Sequence, residues 1–126
     1  MNLCAYMYRT PTKANWEELI EYTTLENIQN FNDIVGLNGT VFKSKNGNEL
    51  FLPNAGYYND KSTYGLSYGG TYGEYWSSTL YVFDENDDEH EVYDDAYLVT
   101  IDNINTPNIH HWHRYDGYSI RPVLMK

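Results

Sequence analysis

The spacing of apolar residues changes near position 39, dividing the chain into a helical part and a stranded part. Over TPTKANWEELIEYTT, residues 10–24, Trp16, Leu19 and Ile20 fall at i, i+3 and i+4 on one helical face. Thr10 or Thr12 supplies an N-cap, Pro11 fits the first turn, and Glu17 and Glu18 fall near the N-terminal end. The next stretch, TLENIQNFNDIVG at 24–36, places Leu25, Ile28 and Phe31 at i, i+3 and i+6 and stops at Gly36. It predicts a second helix, weakened by its asparagines.

Beyond Gly39 the pattern is that of strands. GTVFKSKNGNELFLP, 39–53, predicts two strands around Asn46-Gly47, a dipeptide whose positive φ angles suit a tight hairpin turn. The glycine- and tyrosine-rich stretch 53–74 predicts a long functional loop. YWSSTLYVF, DAYLVTID and GYSIRPVLM, dense in β-branched and aromatic residues, predict three further strands. Helices first and strands afterwards argue an α+β fold with an antiparallel sheet.

Composition narrows the function classes. A chain of 126 residues has the size of a single domain, 1–126, with one core. Its formal net charge of −10 argues against nucleic acid and anionic membrane surfaces as partners. No apolar run approaches the roughly 20 residues of a membrane span, so no membrane insertion is expected. The N-terminal MNLCAYMYRT has neither a basic region nor an apolar core of signal-peptide length. Cys4 is the one cysteine, which excludes an internal disulfide, a cysteine-cluster zinc site and a redox pair.

Five stretches, YRTPTKANWEEL, FKSKNGNELFLPNAGYY, YGEYWSS, AYLVTI and RYDGYSIRPV, together resemble the Fibrobacter succinogenes major paralogous domain. That family is common in Bacteroidetes surface proteins and related to the C-type-lectin-like fold of formylglycine-generating enzymes. The resemblance runs from about Arg9 to Val123. It implies a C-type-lectin-like domain in which two helices flank a small twisted, mostly antiparallel sheet with a long loop region. It also implies structural roles for Trp16, Trp76, Trp112 and Arg121, with Ser77 and Ser78 in a structural turn. Members carry an N-terminal strand that pairs with the C-terminal one; here either MNLCAYMY supplies it or the strand is truncated. The late cysteine pair of the catalytic relatives is missing, so a non-catalytic domain is expected. The implied location is extracellular, at a cell surface, or on a phage particle.

No metal or cofactor is expected. In FDENDDEHEVYDD, 83–95, Asp84, Asn86, Asp88 and Asp95 match an EF-hand at positions 1, 3, 5 and 12. Glu89 stands where that loop needs glycine, and Asp95 is short for the bidentate ligand. The stretch reads as a solvated loop bordering a binding face, with adventitious calcium as the lesser alternative. His111 and His113, at i and i+2 on a strand, would share one face, yet the run supplies no third metal ligand of defined geometry.

Between Asp84 and Tyr118, 19 of 35 residues are Asn, Asp, His or Tyr, against 22 of the other 91, and none is lysine. The four share codons differing in the first base, and general AT-rich bias would not spare the stretch of lysine. Some C-type-lectin-like relatives are variable proteins of diversity-generating retroelements, and the resemblance implies the same for this stretch; compositional bias is the alternative. The candidate ligand-binding residues are Tyr93, Asp95, Tyr97, Asn103, Asn105, Asn108, His110, His111, His113, Tyr115 and Asp116. Tyrosine gives rigid amphipathic contact, and Asn, Asp and His give adaptable hydrogen bonds, as in antibody paratopes. The expected function is recognition of a protein or glycan. The alternatives are a structural or adhesive module, with homo-oligomer contacts on the same face, and a formylglycine-generating-like enzyme.

Overall fold

A computed structural model describes residues 8–58, 66–67, 69–82, 95–103, 107–114 and 116–124. The element order is β1 (Tyr8–Arg9), α1 (Lys13–Tyr22), β2 (Thr23–Ile28), β3 (Gly39–Ser44), β4 (Glu49–Pro53), β5 (Tyr57–Tyr58), β6 (Leu66–Ser67), β7 (Tyr72–Leu80), β8 (Asp95–Asp102), β9 (Asn108–His113) and β10 (Val123–Leu124). β2-β3-β4 and β7-β8-β9 form three-stranded sheets, and β1-β10 and β5-β6 form two-stranded ones, all antiparallel.

The chain is therefore mostly β, with one α-helix among the described residues. This corrects the expected α+β, C-type-lectin-like layout of two helices flanking a sheet. The second helix is the element that fails. Helix α1 forms where expected, with Thr12 rather than Thr10 as its cap, so Pro11 precedes the helix and the first turn holds no acidic residue: Thr12 accepts from the Asn15 backbone N–H at 3.1 Å, and the Asn15 side chain accepts from the Thr12 N–H at 2.9 Å. It ends where Thr23 turns extended, and the chain runs straight into β2, paired with β3 from Thr23↔Ser44 to Ile28↔Gly39. Two β-branched threonines at the exit favour the strand. Asn30, Asn32 and Asp33 then adopt φ values of 54°, 52° and 61°, closing a 3-10 turn at Phe31–Asp33 where helix had been expected. Asn and Asp visit this left-handed region most readily among non-glycine residues.

The expected 39–53 hairpin is present, with a different turn. Gly47 alone carries the positive φ, 89°, and its N–H donates to the Ser44 carbonyl, while Asn46 caps the loop by accepting from the Asn48 N–H. Within the expected loop 53–74, β5, β6 and the start of β7 are regular. The expected C-terminal strand is broken: Gly117 bridges Tyr58, Ser119 bridges Tyr75, and only Val123–Leu124 forms β10, against Tyr8–Arg9.

The core lies between the two three-stranded sheets and α1. Trp16, Phe42, Leu52, Tyr75, Val99 and Ile101 are buried together, with Leu19, Ile20, Leu50 and Ile109 packed against them. Each large apolar side chain so buried contributes about 1.5–3 kcal/mol. Trp16 is tilted on Tyr75 at 6.0 Å and donates its indole N–H to the Trp76 carbonyl; the Tyr75 hydroxyl donates to the Pro53 carbonyl at 2.6 Å. Gly73 allows this approach, since a Cβ there would lie 2.7 Å from the Pro53 carbonyl oxygen and 2.8 Å from Ile101.

No helix among the described residues is long and apolar enough to cross a membrane.

Candidate functional site

The β7-β8-β9 sheet carries most of the described candidate residues, and strand alternation sorts them onto two faces. Directly opposed residues share a face: Asp95 with His113, Tyr97 with His111 and Val99 with Ile109 on the core face; Ala96 with Trp112, Leu98 with His110 and Thr100 with Asn108 on the other.

On the core face, beyond the end of the apolar packing, the Asp95 carboxylate is 5% exposed and bonds two imidazoles. His111 Nδ1 lies 2.8 Å from Oδ2, and His113 Nδ1 lies 3.0 Å from Oδ1. A carboxylate accepts and does not donate, so each ring holds its proton on Nδ1. The His111 ring stacks on Tyr81 at 3.7 Å and 15°, and Tyr97 meets both edge-on. The Lys13 ammonium, from the first turn of α1, stands 4.5 Å from the centre of the Tyr97 ring.

An irregularity in β7 positions these groups. Between Trp76 and Leu80 the strand takes four steps against two on β8. The extra residues reach α1: the Ser78 N–H donates to the Pro11 carbonyl at 2.8 Å, and Thr79 Oγ1 accepts from the Lys13 N–H at 2.9 Å. Ser77 Oγ accepts from the Thr79 N–H at 3.2 Å inside the bulge. The helix N-terminus is thus tied to the sheet end where Tyr81, Tyr97 and His111 meet.

The opposite face presents acids and aromatic rings. Glu74 and Trp76 lie on β7, and the bridge at Ser119 brings Asp116 and Tyr118 beside them. Tyr118 packs on Trp76 at 4.5 Å and edge-on against Tyr57 at 5.3 Å, and its hydroxyl donates to Asp116 Oδ2 at 3.1 Å. Burial first, and then the charge of Asp116, push the Glu74 carboxyl up to about 7. Burial also pushes the Tyr118 hydroxyl up, assisted by Glu74 and Asp116. His110 Nε2 lies 2.6 Å from Thr100 Oγ1, and burial, then His111, lower its pKa.

The structure therefore brings Asp95, Tyr97, His111 and His113 together and sets Asn108, His110 and Asp116 apart from them. Asn103 lies toward the other end of β8, about 25 Å along the strand from Asp95, where it accepts from the Asn54 amide at 2.9 Å. Asp116, like Asp95, is buried, at 4% exposure, so both support neighbours rather than face solvent. Of the four residues expected to be structural, Trp16 is buried, Trp76 is half-buried, Trp112 is 47% exposed and Arg121 is exposed. Tyr93, Asn105 and Tyr115, the acidic stretch 83–94 and Cys4 lie outside the described residues.

Tyr81 and Lys13 escaped the sequence reading. Tyr81 sits inside a predicted strand, but the bulge that aims it has no local signature beyond the SST run; Lys13 arrives from 82 positions before Asp95.

Among the described residues, no group of three or more His, Cys, Asp or Glu side chains is arranged to hold a metal ion. At Asp95 each carboxylate oxygen is already taken by a ring N–H. No family model, no curated protein and no solved structure matches the chain.

Proposed function

We propose that the chain is a non-catalytic recognition domain that binds a protein or glycan through the Tyr81, Tyr97, His111 and His113 surface at the sheet end. The observation that carries this reading is the Asp95 clamp. One buried carboxylate fixes two half-buried imidazoles, and Tyr81 stacks on one of them, so a polar aromatic surface is held before any ligand arrives. Rings fixed in advance lose little entropy on binding, which is the advantage of aromatic paratopes. Diversification of residues 84–118 by a retroelement rests on composition, and a genomic near-copy differing at adenines is its test.

The experiment is a glycan array probed in parallel with a displayed peptide library, using the wild-type chain and the Tyr81→Ala and His111→Ala variants. A ligand of either class should lose at least about tenfold in affinity with each variant. Ligands bound equally by wild type and both variants would place recognition elsewhere.

A second reading, an assembly module, draws on Leu80 and Trp112, which flank Ala96 on the other sheet face at 54% and 47% exposure. Sedimentation showing a concentration-dependent oligomer that Trp112→Asp disperses would favour it.

A further inference from the structure

A cavity of about 210 Å³ lies between α1 and the C-terminal segment, away from the Asp95 cluster. Its apolar walls are Trp16, Leu19, Leu50 and Val123, and its two polar side chains are Asn15 and Arg121. Both side chains can donate hydrogen bonds into the cavity. Arg121 makes no ion pair or hydrogen bond with any described residue, although it lies close enough to the core for its charge to act on the Tyr75 hydroxyl, which burial pushes up. Asn15 Oδ1 is taken by the Thr12 N–H at 2.9 Å and by Arg9 Nη1 at 2.8 Å, which leaves its NH2 as the group it can offer an occupant.

We propose that this cavity binds a small apolar monocarboxylate, one ring or one short branched chain in size, with its carboxylate on the Arg121 guanidinium and the Asn15 NH2.

Size and chemistry both select this class. The volume lies below the roughly 300–1,000 Å³ of sites for larger ligands, so one ring or a branched chain fills it. A guanidinium presents a planar fork matched to a carboxylate. The chain's net charge of −10 opposes anions at long range, but that field falls off within about 8 Å at physiological ionic strength. Arg121 lines the cavity, and the Arg9 guanidinium stands 2.8 Å from Asn15 Oδ1, so positive charge is local to it.

The test uses the full chain labelled at its tryptophan indoles, titrated with benzoate and, separately, with benzyl alcohol. Benzoate should move the Trp16 signal and leave Trp112 in place, with Kd in about the millimolar range or tighter. Benzyl alcohol should bind at least about tenfold more weakly, and Arg121→Gln should weaken benzoate by a similar factor. If Arg121→Gln fails to fold, the comparison of the two probes on wild type still decides. Equal binding of both probes, a Trp112 response in place of Trp16, or no Trp16 response by about 10 mM benzoate would overturn the proposal.

Discussion

At the scale of single residues, the decisive group is the Asp95 carboxylate, which accepts from two rings at once. Asparagine in its place keeps one acceptor oxygen and turns the other position into a donor, so one imidazole must lose its bond or move its proton. Asp95→Asn should therefore cost about 1–3 kcal/mol and release His111 or His113 from the Nδ1–H form. Chemical denaturation and imidazole nitrogen NMR check this, and an equally stable variant with unchanged tautomers would contradict the clamp. Glu74 has the opposite character. Its carboxyl titrates near 4.5 when unfolded and about 7 when folded, so between these values the folded chain keeps a proton that the unfolded chain has lost. Its contribution is complete below about pH 4.5 and is lost as pH rises through about 7. Glu74→Gln removes the charge that Asp116 and burial oppose. It should stabilise the protein by about 1 kcal/mol at pH 8, after discounting for solvent screening, and by much less at pH 5.5, as melts at the two pH values would reveal.

At the scale of elements, the informative contrast is between α1 and β2. The helix is legible because two local signals agree, a capping threonine and an apolar face at Trp16, Leu19 and Ile20, while its exit at Thr23 is set by the pairing of β2. In β2, Leu25, Ile28 and Phe31 suit a helix by spacing, yet Leu25 is 36% exposed and Phe31 lies beyond the strand, stacked on Phe51 at 4.0 Å. Pairing with β3 decides the outcome, and that partner is set by tertiary structure rather than by residues 23–28. The candidate site follows the same division. The i, i+2 spacing of His111 and His113 correctly put both on one face, since strand alternation is local. That Asp95 lies under them, and that Asn108 and His110 face away, depends on the register of β8 with β9. The junction of β4 with β7 gives the sharpest element-level test. Gly73→Ala would drive a methyl against the Pro53 carbonyl and Ile101, neither of which can retreat without moving the core. A loss of about 1–3 kcal/mol is expected by denaturant titration, with Gly47→Asn at the exposed hairpin turn far milder.

At the scale of the whole molecule, charge and core act against each other. A net charge of −10 on 126 residues favours expansion, while the packing of Trp16, Phe42, Leu52, Tyr75, Val99 and Ile101 holds α1 and both larger sheets together. Salt shortens the range of the repulsion and leaves the apolar packing almost unchanged at moderate concentration. Raising sodium chloride from about 10 mM to about 150 mM at pH 7.5 should therefore raise the melting temperature by a few degrees. Near pH 5.5, closer to the pI of about 4.6, the net charge is smaller and the same addition should do less. Salt should also slow association with any basic ligand, because the acidic field that draws it in is screened, while short-range contacts at the proposed Tyr81 and His111 surface would keep their dissociation rate. Calorimetry at the two salt concentrations and pH values tests the first part. A melting temperature indifferent to salt at pH 7.5 would mean that neighbouring lysines and arginines already compensate the acidic charge locally, and no acidic field would then steer a basic ligand.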